Sequence, residues 1–209
     1  QGCRGDTDDG TQFVGTWTNE PTNRGFAAEA LNCSTAFFTW PSTGAVGRIR
    51  RVNRKTGATV WTQDTLGDNG FAATTIHAHG DYVWYSTFAG GGLNPQCRFV
   101  KLNIADGSEE WHYDVPPTPN PELGQDADSG GLFYIDPDTH HLWFCRFASI
   151  NNGGVLEWYL YLESLAEDGA LDSSVEIYLP MTGGGPRSLG AIDGGGLVPA
   201  GNDFILVGF

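Results

Sequence analysis

The feature that most limits what this chain can fold into is a segment that occurs twice. Val52-Asn53-Arg54-Lys55-Thr56-Gly57-Ala58-Thr59-Val60-Trp61 aligns without a gap to Leu102-Asn103-Ile104-Ala105-Asp106-Gly107-Ser108-Glu109-Glu110-Trp111. Each copy reads as an apolar strand end, an Asn, a turn closing on Gly, and a short second strand carrying Trp. Glycine reaches the positive φ of such a turn without the steric penalty other residues meet. The Trp is placed to cover the hydrophobic edge of its own unit. A weaker third copy runs from Leu162 through Asp168-Gly169 to Tyr178, with a longer turn and no Trp expected there.

A second element lies upstream of each copy. Residues 72–88, 130–147 and 194–209 each read as a short apolar strand, a polar turn and a strongly aromatic or branched strand. The turns are Gly80-Asp81, Asp136-Pro137-Asp138-Thr139 and Ala200-Gly201-Asn202-Asp203, all with turn chemistry. The strands that follow, Tyr82-Val83-Trp84-Tyr85, Leu142-Trp143-Phe144-Cys145 and Phe204-Ile205-Leu206-Val207, are short unbroken apolar runs, the pattern of strands buried on both faces. Helical periodicity is nearly absent, 162–171 being the one ambiguous stretch. Each unit is therefore four short antiparallel strands, about the 40 to 50 residues of a propeller blade. The expected fold is an all-β propeller of about four blades. It comprises an N-terminal tail and closing strand over 1–25 and a propeller over 26–209, with blades at 26–66, 67–115 and 124–180 and a half-blade at 186–209. Within the tail, Thr11-Gln12-Phe13-Val14-Gly15-Thr16-Trp17-Thr18 reads as an outer strand, because Trp17-Thr18 echoes Trp61-Thr62. Joined to the C-terminal half-blade, it would close the ring and hide two sheet edges.

The strand, the turn closing on Gly and the Trp a few residues later resemble the repeat of quinoprotein-like (PQQ-like) β-propellers. The resemblance implies blades. It also implies a family that contains dehydrogenases using a quinone cofactor with calcium, alongside non-enzymatic scaffolds that hold other proteins. The repeat motif is structural, the family's enzymes generally have eight blades, and no cofactor-binding set carries over to these residues. The resemblance therefore points to a scaffold with no organic cofactor.

Charge narrows the partners. Asp and Glu number 25 against 11 Lys and Arg, and the net charge of -14 repels nucleic-acid backbones and anionic membranes. No apolar run approaches the roughly 20 residues that cross a bilayer, so no membrane insertion is expected. The basic cluster Arg48, Arg50, Arg51, Arg54 and Lys55 either holds an anion or faces solvent and deters edge-to-edge pairing. Cys3, Cys33, Cys97 and Cys145 have no metal-type spacing. They read as two disulfides, Cys3 with Cys33 and Cys97 with Cys145, or as buried thiols. With the sequon Asn32-Cys33-Ser34 and an opening at Gln1 that fits a removed targeting segment or an excerpt, they suggest an extracellular protein, secreted or on the surface of a cell or virion.

Candidate site residues follow from the blade assignment. Asp68, Asp128 and Asp193 each precede a Gly-containing turn where the chain reaches an inner strand, so they would ring one mouth of the channel. Converging carboxylates attract a hard cation such as calcium; a local Asx turn is the alternative. His77 and His79 share a strand face and could share a metal, or be hydrogen-bonded strand histidines. Trp40, Phe88, Trp158 and Tyr159 lie near loops or strand ends, where aromatic faces stack on sugars or protein partners. No Gly-x-Ser-x-Gly elbow or phosphate-binding loop is present. The expected function is a non-catalytic structural, assembly, receptor-binding or glycan-binding module of a surface filament or virion, its unpaired edges completed by other subunits, including identical copies. The alternative is a metal-dependent or carbohydrate-active enzyme centred on the three aspartates.

Overall fold

The computed structural model describes residues 27–32, 35–41, 47–53, 56–64, 75–89, 96–116, 133–152, 155–179, 196–200 and 203–207. They form fourteen strands. The first sheet is β1 (Ala27–Asn32), β2 (Thr35–Pro41), β3 (Gly47–Asn53) and β4 (Thr59–Asp64), in that order. The second is β5 (Thr75–His79), β6 (Tyr82–Ala89), β7 (Gln96–Asn103) and β8 (Glu109–Asp114). The third is β9 (Phe133–Ile135), β10 (Leu142–Asn152), β11 (Val155–Leu165) and β12 (Leu171–Leu179), and a hairpin of β13 (Gly196–Ala200) and β14 (Asp203–Val207) follows. Every pairing is antiparallel between sequence neighbours. The chain is thus all-β, with antiparallel sheets laid down one after another. The first strands lie in series, β1 against β5, β5 against β9 and β9 against β13.

The core sits between sheets. Phe37 and Ile49 of the first sheet pack on Ile76, Val83, Tyr85, Val100 and Leu102 of the second. On its other face the second sheet packs Trp84, Cys97 and Phe99 against Phe133, Ile135, Leu142, Phe144 and Leu165 of the third. Val83, Trp84 and Tyr85 all have 0% exposure, so β6 is buried on both faces, as its unbroken apolar run requires.

The repeated segment builds the same turn each time. The Asn53 N–H donates to the Ala58 carbonyl and the Gly57 N–H to the Asn53 carbonyl, and Asn103 bonds Ser108 and Gly107 in the same way. The Asn side chains close the turn, Asn53 Oδ1 accepting from Thr56 N and Asn103 Oδ1 from Ala105 N. Gly57, Gly107 and Gly169 have φ of 71°, 77° and 85°. The third turn differs from expectation by being one residue shorter rather than longer: Gly169 N bonds Ala166 O, three residues back instead of four. After each turn comes a β-bulge that leaves Val60, Glu110 or Asp172 without a cross-strand partner. The equivalence also runs further than the aligned segment. Arg48 bonds Asp64 and Arg98 bonds Asp114, both 16 residues on, and Tyr161 Oη donates to Glu176 at the matching place in the third sheet.

The tryptophans do not cover their own sheets. Trp61, on β4 of the first sheet, lies flat on Gly107 of the second, and Trp111, on β8 of the second, lies on Gly169 of the third. Their indole Nε1–H groups donate to the Ile104 and Glu167 carbonyls, each at 2.8 Å. Opposite them on β3 and β7, Arg51 Nη1 and Lys101 Nζ donate to the same two carbonyls at 2.7 and 3.0 Å. Arg51 therefore belongs to an interior strand and a seam between sheets, not to a solvent-facing edge. A Cβ on Gly107 would come within 2.9 Å of the Trp61 ring, and one on Gly169 within 2.7 Å of Trp111. Gly80, at φ 56°, has nothing within 4 Å of that position. Gly80→Ala should cost about 1 kcal/mol through backbone strain alone, whereas Gly107→Ala and Gly169→Ala should each cost about 3 kcal/mol because the indole is also displaced. Denaturant melts of the three variants measure the difference.

Candidate functional site on the third sheet

Of the residues the sequence singles out, Asp68, Asp128, Asp193, Cys3 and Cys33 lie outside the described residues, as does the segment 1–26. Trp40, Phe88 and Trp158 fall on β2, β6 and β11, with their side chains outside the description. Among the described residues no group of three His, Cys, Asp or Glu is arranged to hold a metal. His77 is instead packed edge-on against Phe133 at 5.0 Å, and burial lowers its pKa, so the neutral ring is favoured. His79 lies edge-on to His140, 5.6 Å away.

The expected Cys97–Cys145 disulfide is not formed; both residues are buried thiols. The reason is strand parity. Cys97 lies on the face of β7 that meets the third sheet, while Cys145 follows Phe144, which faces the second sheet, and so points out of the far side of the third. The third sheet stands between the two sulfurs. Burial pushes the Cys145 thiol up to about 11, so little thiolate exists near neutrality. Iodoacetamide at mildly alkaline pH should leave Cys145 unmodified in the native protein and alkylate both cysteines once the chain is unfolded without reductant. A requirement for reductant would show a disulfide.

A polar cluster seals the second sheet to the third. Lys101 has a side chain only 4% exposed; its Nζ lies 4.0 Å from the centre of the Tyr82 ring and 3.9 Å from Glu167 Oε1. Burial lowers its pKa, against the opposing pull of Glu167. His140 Nδ1 approaches Glu167 Oε1 at 3.2 Å, and this bond first, then the Lys101 charge, holds the Glu167 carboxyl below the usual glutamate range. A carboxyl with a lowered folded pKa adds stability that is complete above its unfolded pKa and is lost as pH falls through the folded value. Asp114, lowered chiefly by its bond to Arg98, acts in the same direction. Glu167→Gln should therefore reduce, without abolishing, the fall in melting temperature between about pH 5 and about pH 3, a window read by thermal melts across a buffer series.

One cluster faces outward. Tyr159 and Tyr178 are cross-strand neighbours on β11 and β12, their rings 5.5 Å apart and inclined at 58°. Tyr159 Oη donates to Glu157 Oε2 at 2.9 Å, and Tyr161 Oη to Glu176 Oε2 at 2.6 Å. The bond to Glu157 is the main cause that raises the Tyr159 pKa, keeping the phenol protonated as a donor. Tyr178 is 54% exposed. Strand length explains the exposure. β11 and β12 have 11 and 9 residues, against 8 and 6 for β7 and β8, so their far ends run past the second sheet that buries Phe144 and Leu165. Sequence reasoning picked out Tyr159 but not its partners. The alternation Ser174, Glu176, Tyr178 opposite Tyr159, Tyr161, Glu163 is the signal that pairs them once the β11–β12 turn is placed.

This surface offers aromatic faces and fixed carboxylate acceptors at hydrogen-bonding spacing, suited to a ligand with C–H faces and hydroxyl donors. No family model and no curated protein sequence matches the chain.

Proposed function

We propose that this chain is a non-catalytic β-propeller module of the quinoprotein-like repeat type that binds glycan through the tyrosine and carboxylate face of its third sheet. Two features support the propeller reading: the first strands of successive sheets lie side by side, and each sheet is keyed to the next by an indole on a turn. The binding reading is carried by Tyr178, more than half exposed on a paired strand and set against a Tyr159 already oriented by Glu157. A sugar ring stacks on the phenol faces while Glu157 and Glu176 accept its hydroxyls. The titratable groups at the seam hold sheets together rather than line a cleft, which favours binding over catalysis. We place the module outside the cell or on a virion, in keeping with the sequon at Asn32.

Isothermal titration of the full chain with a panel of neutral hexose and N-acetylhexosamine oligosaccharides tests the proposal. For any oligosaccharide that binds, Tyr178→Ala should weaken affinity at least tenfold, about 1.4 kcal/mol, with the melting temperature unchanged, and Tyr178→Phe should retain most of it. A panel without a binder, or undiminished binding by Tyr178→Ala, overturns the glycan assignment.

A further inference from the structure

Each four-stranded sheet ends on its last strand in the chain, and the three outer strands are not alike. β4 and β8 have six residues apiece, and each half-buries two side chains, Trp61 and Gln63 on the one, Trp111 and Tyr113 on the other. β12 has nine residues, and of residues 171–178 all but Ser173 are exposed. Val175 occupies the place that Tyr113 holds in the second sheet, yet it is 50% exposed, and Ile177 beyond it is 43% exposed. Among the described residues no strand pairs with the outer side of β12. Edge strands are ordinarily protected by shortness, Lys, Pro or a bulge. β12 has neither Lys nor Pro, and its one bulge, at Asp172, lies at its start, so residues 173–179 run in plain register beside β11. A long accessible edge that carries apolar side chains is a template for a further strand.

We propose that β12 pairs antiparallel with β12 of a second copy of this chain, about a two-fold axis at Val175. The inference goes beyond the binding reading above and rests on neither its propeller part nor its glycan part. The order of the side chains is what selects a second copy. In a two-fold pair centred on Val175, Val175 meets its own copy, Ser174 meets Glu176 and Ser173 meets Ile177, while Asp172 falls level with Tyr178. No carboxylate then faces a carboxylate, and each Glu176 stands across from a neutral serine. The neighbouring registers lack this property. A centre at Glu176 sets the two Glu176 carboxylates against each other, and a centre at Ser174 brings Asp172 level with Glu176 twice. Val175 is also the midpoint of β12, so the register that avoids like charges is the one that uses the whole strand.

Three measurements on the full chain test this. One strand pair buries less than the roughly 1,600 Å² of a standard interface, so the dimer should be weak and reversible, seen as a sedimentation coefficient that rises between about 5 and about 500 μM protein. The net charge of -14 opposes association, so raising NaCl from about 0.05 to about 0.5 M should tighten the dimer several-fold. Val175→Lys sets two cations at the axis and should weaken the dimer at least tenfold, with the melting temperature of the dilute protein unchanged. Oxidation reads the register: Val175→Cys should give a disulfide-linked dimer above the wild-type background, whereas Ile177→Cys, whose copies stand about 13 Å apart along the strands, should not. A monomer over the whole range assigns the edge to another chain and overturns the proposal. A dimer that Val175→Lys leaves intact, or one captured at Ile177→Cys and not at Val175→Cys, overturns it as well.

Discussion

A tryptophan lying on another sheet's glycine is the contact on which the rest of this structure depends. The backbone carbonyl beside that glycine has two lone pairs. Both are taken, at Ile104 by Trp61 and Arg51 and at Glu167 by Trp111 and Lys101. The donors come from directly opposed positions on the last two strands of the preceding sheet, so one carbonyl fixes both the distance and the rotation of one sheet relative to the next. The acceptor is main chain, which is why Ile and Glu serve equally well. The glycine has two reasons to be glycine, its positive φ and the flat ring above it, and only the first is a local property of the turn.

Each seam then has a dry half and a polar half. Near the first strands the sheets meet through rings and branched side chains, with Phe99 4.7 Å from Phe144 and 5.6 Å from Phe133. Near the outer strands they meet through the indole, a cation that is half-buried at Arg51 and buried at Lys101, and the turn carbonyl. Lys101 shows the tension in this arrangement: its burial disfavours the charge that lets it donate, and the Tyr82 ring, the Glu167 carbonyl and the Glu167 carboxylate together offset that loss.

What was legible in the sequence is what is local to one unit. The doubled segment at Val52–Trp61 and Leu102–Trp111 predicts strand, turn and strand, and the unbroken run at Tyr82–Tyr85 predicts burial on two faces. What was not legible are relations between units. Nothing around Trp61 names Gly107 as its partner, and the expectation that the ring covers its own sheet follows from the turn alone. The pairing of Cys97 with Cys145 failed for a related reason: each sits beside aromatic strand residues, but which face each occupies is set by the packing of the third sheet. Of the candidate site, Tyr159 was visible as an aromatic near a strand end. Tyr178 was not, because its exposure depends on how far the neighbouring sheet extends.

The same two strands are what would suit the tyrosine face to the proposed binding. The strands β11 and β12 are anchored at one end, where Leu165 and Glu163 are 0% and 2% exposed against the second sheet. At the other end the same two strands continue in register with each other, Tyr159 opposite Tyr178 and Trp158 opposite Leu179, and there Tyr178 is 54% exposed. The backbone of the exposed part is held by the ladder that continues into the core, and the Tyr159 and Tyr161 side chains are held by Glu157 and Glu176. In the proposed binding, a ligand would meet a Tyr159 ring whose orientation is already set by Glu157, so less conformational entropy would be lost there. The turn at Gly169, by fixing the third sheet to Trp111, thereby positions a surface at the opposite end of the same strands.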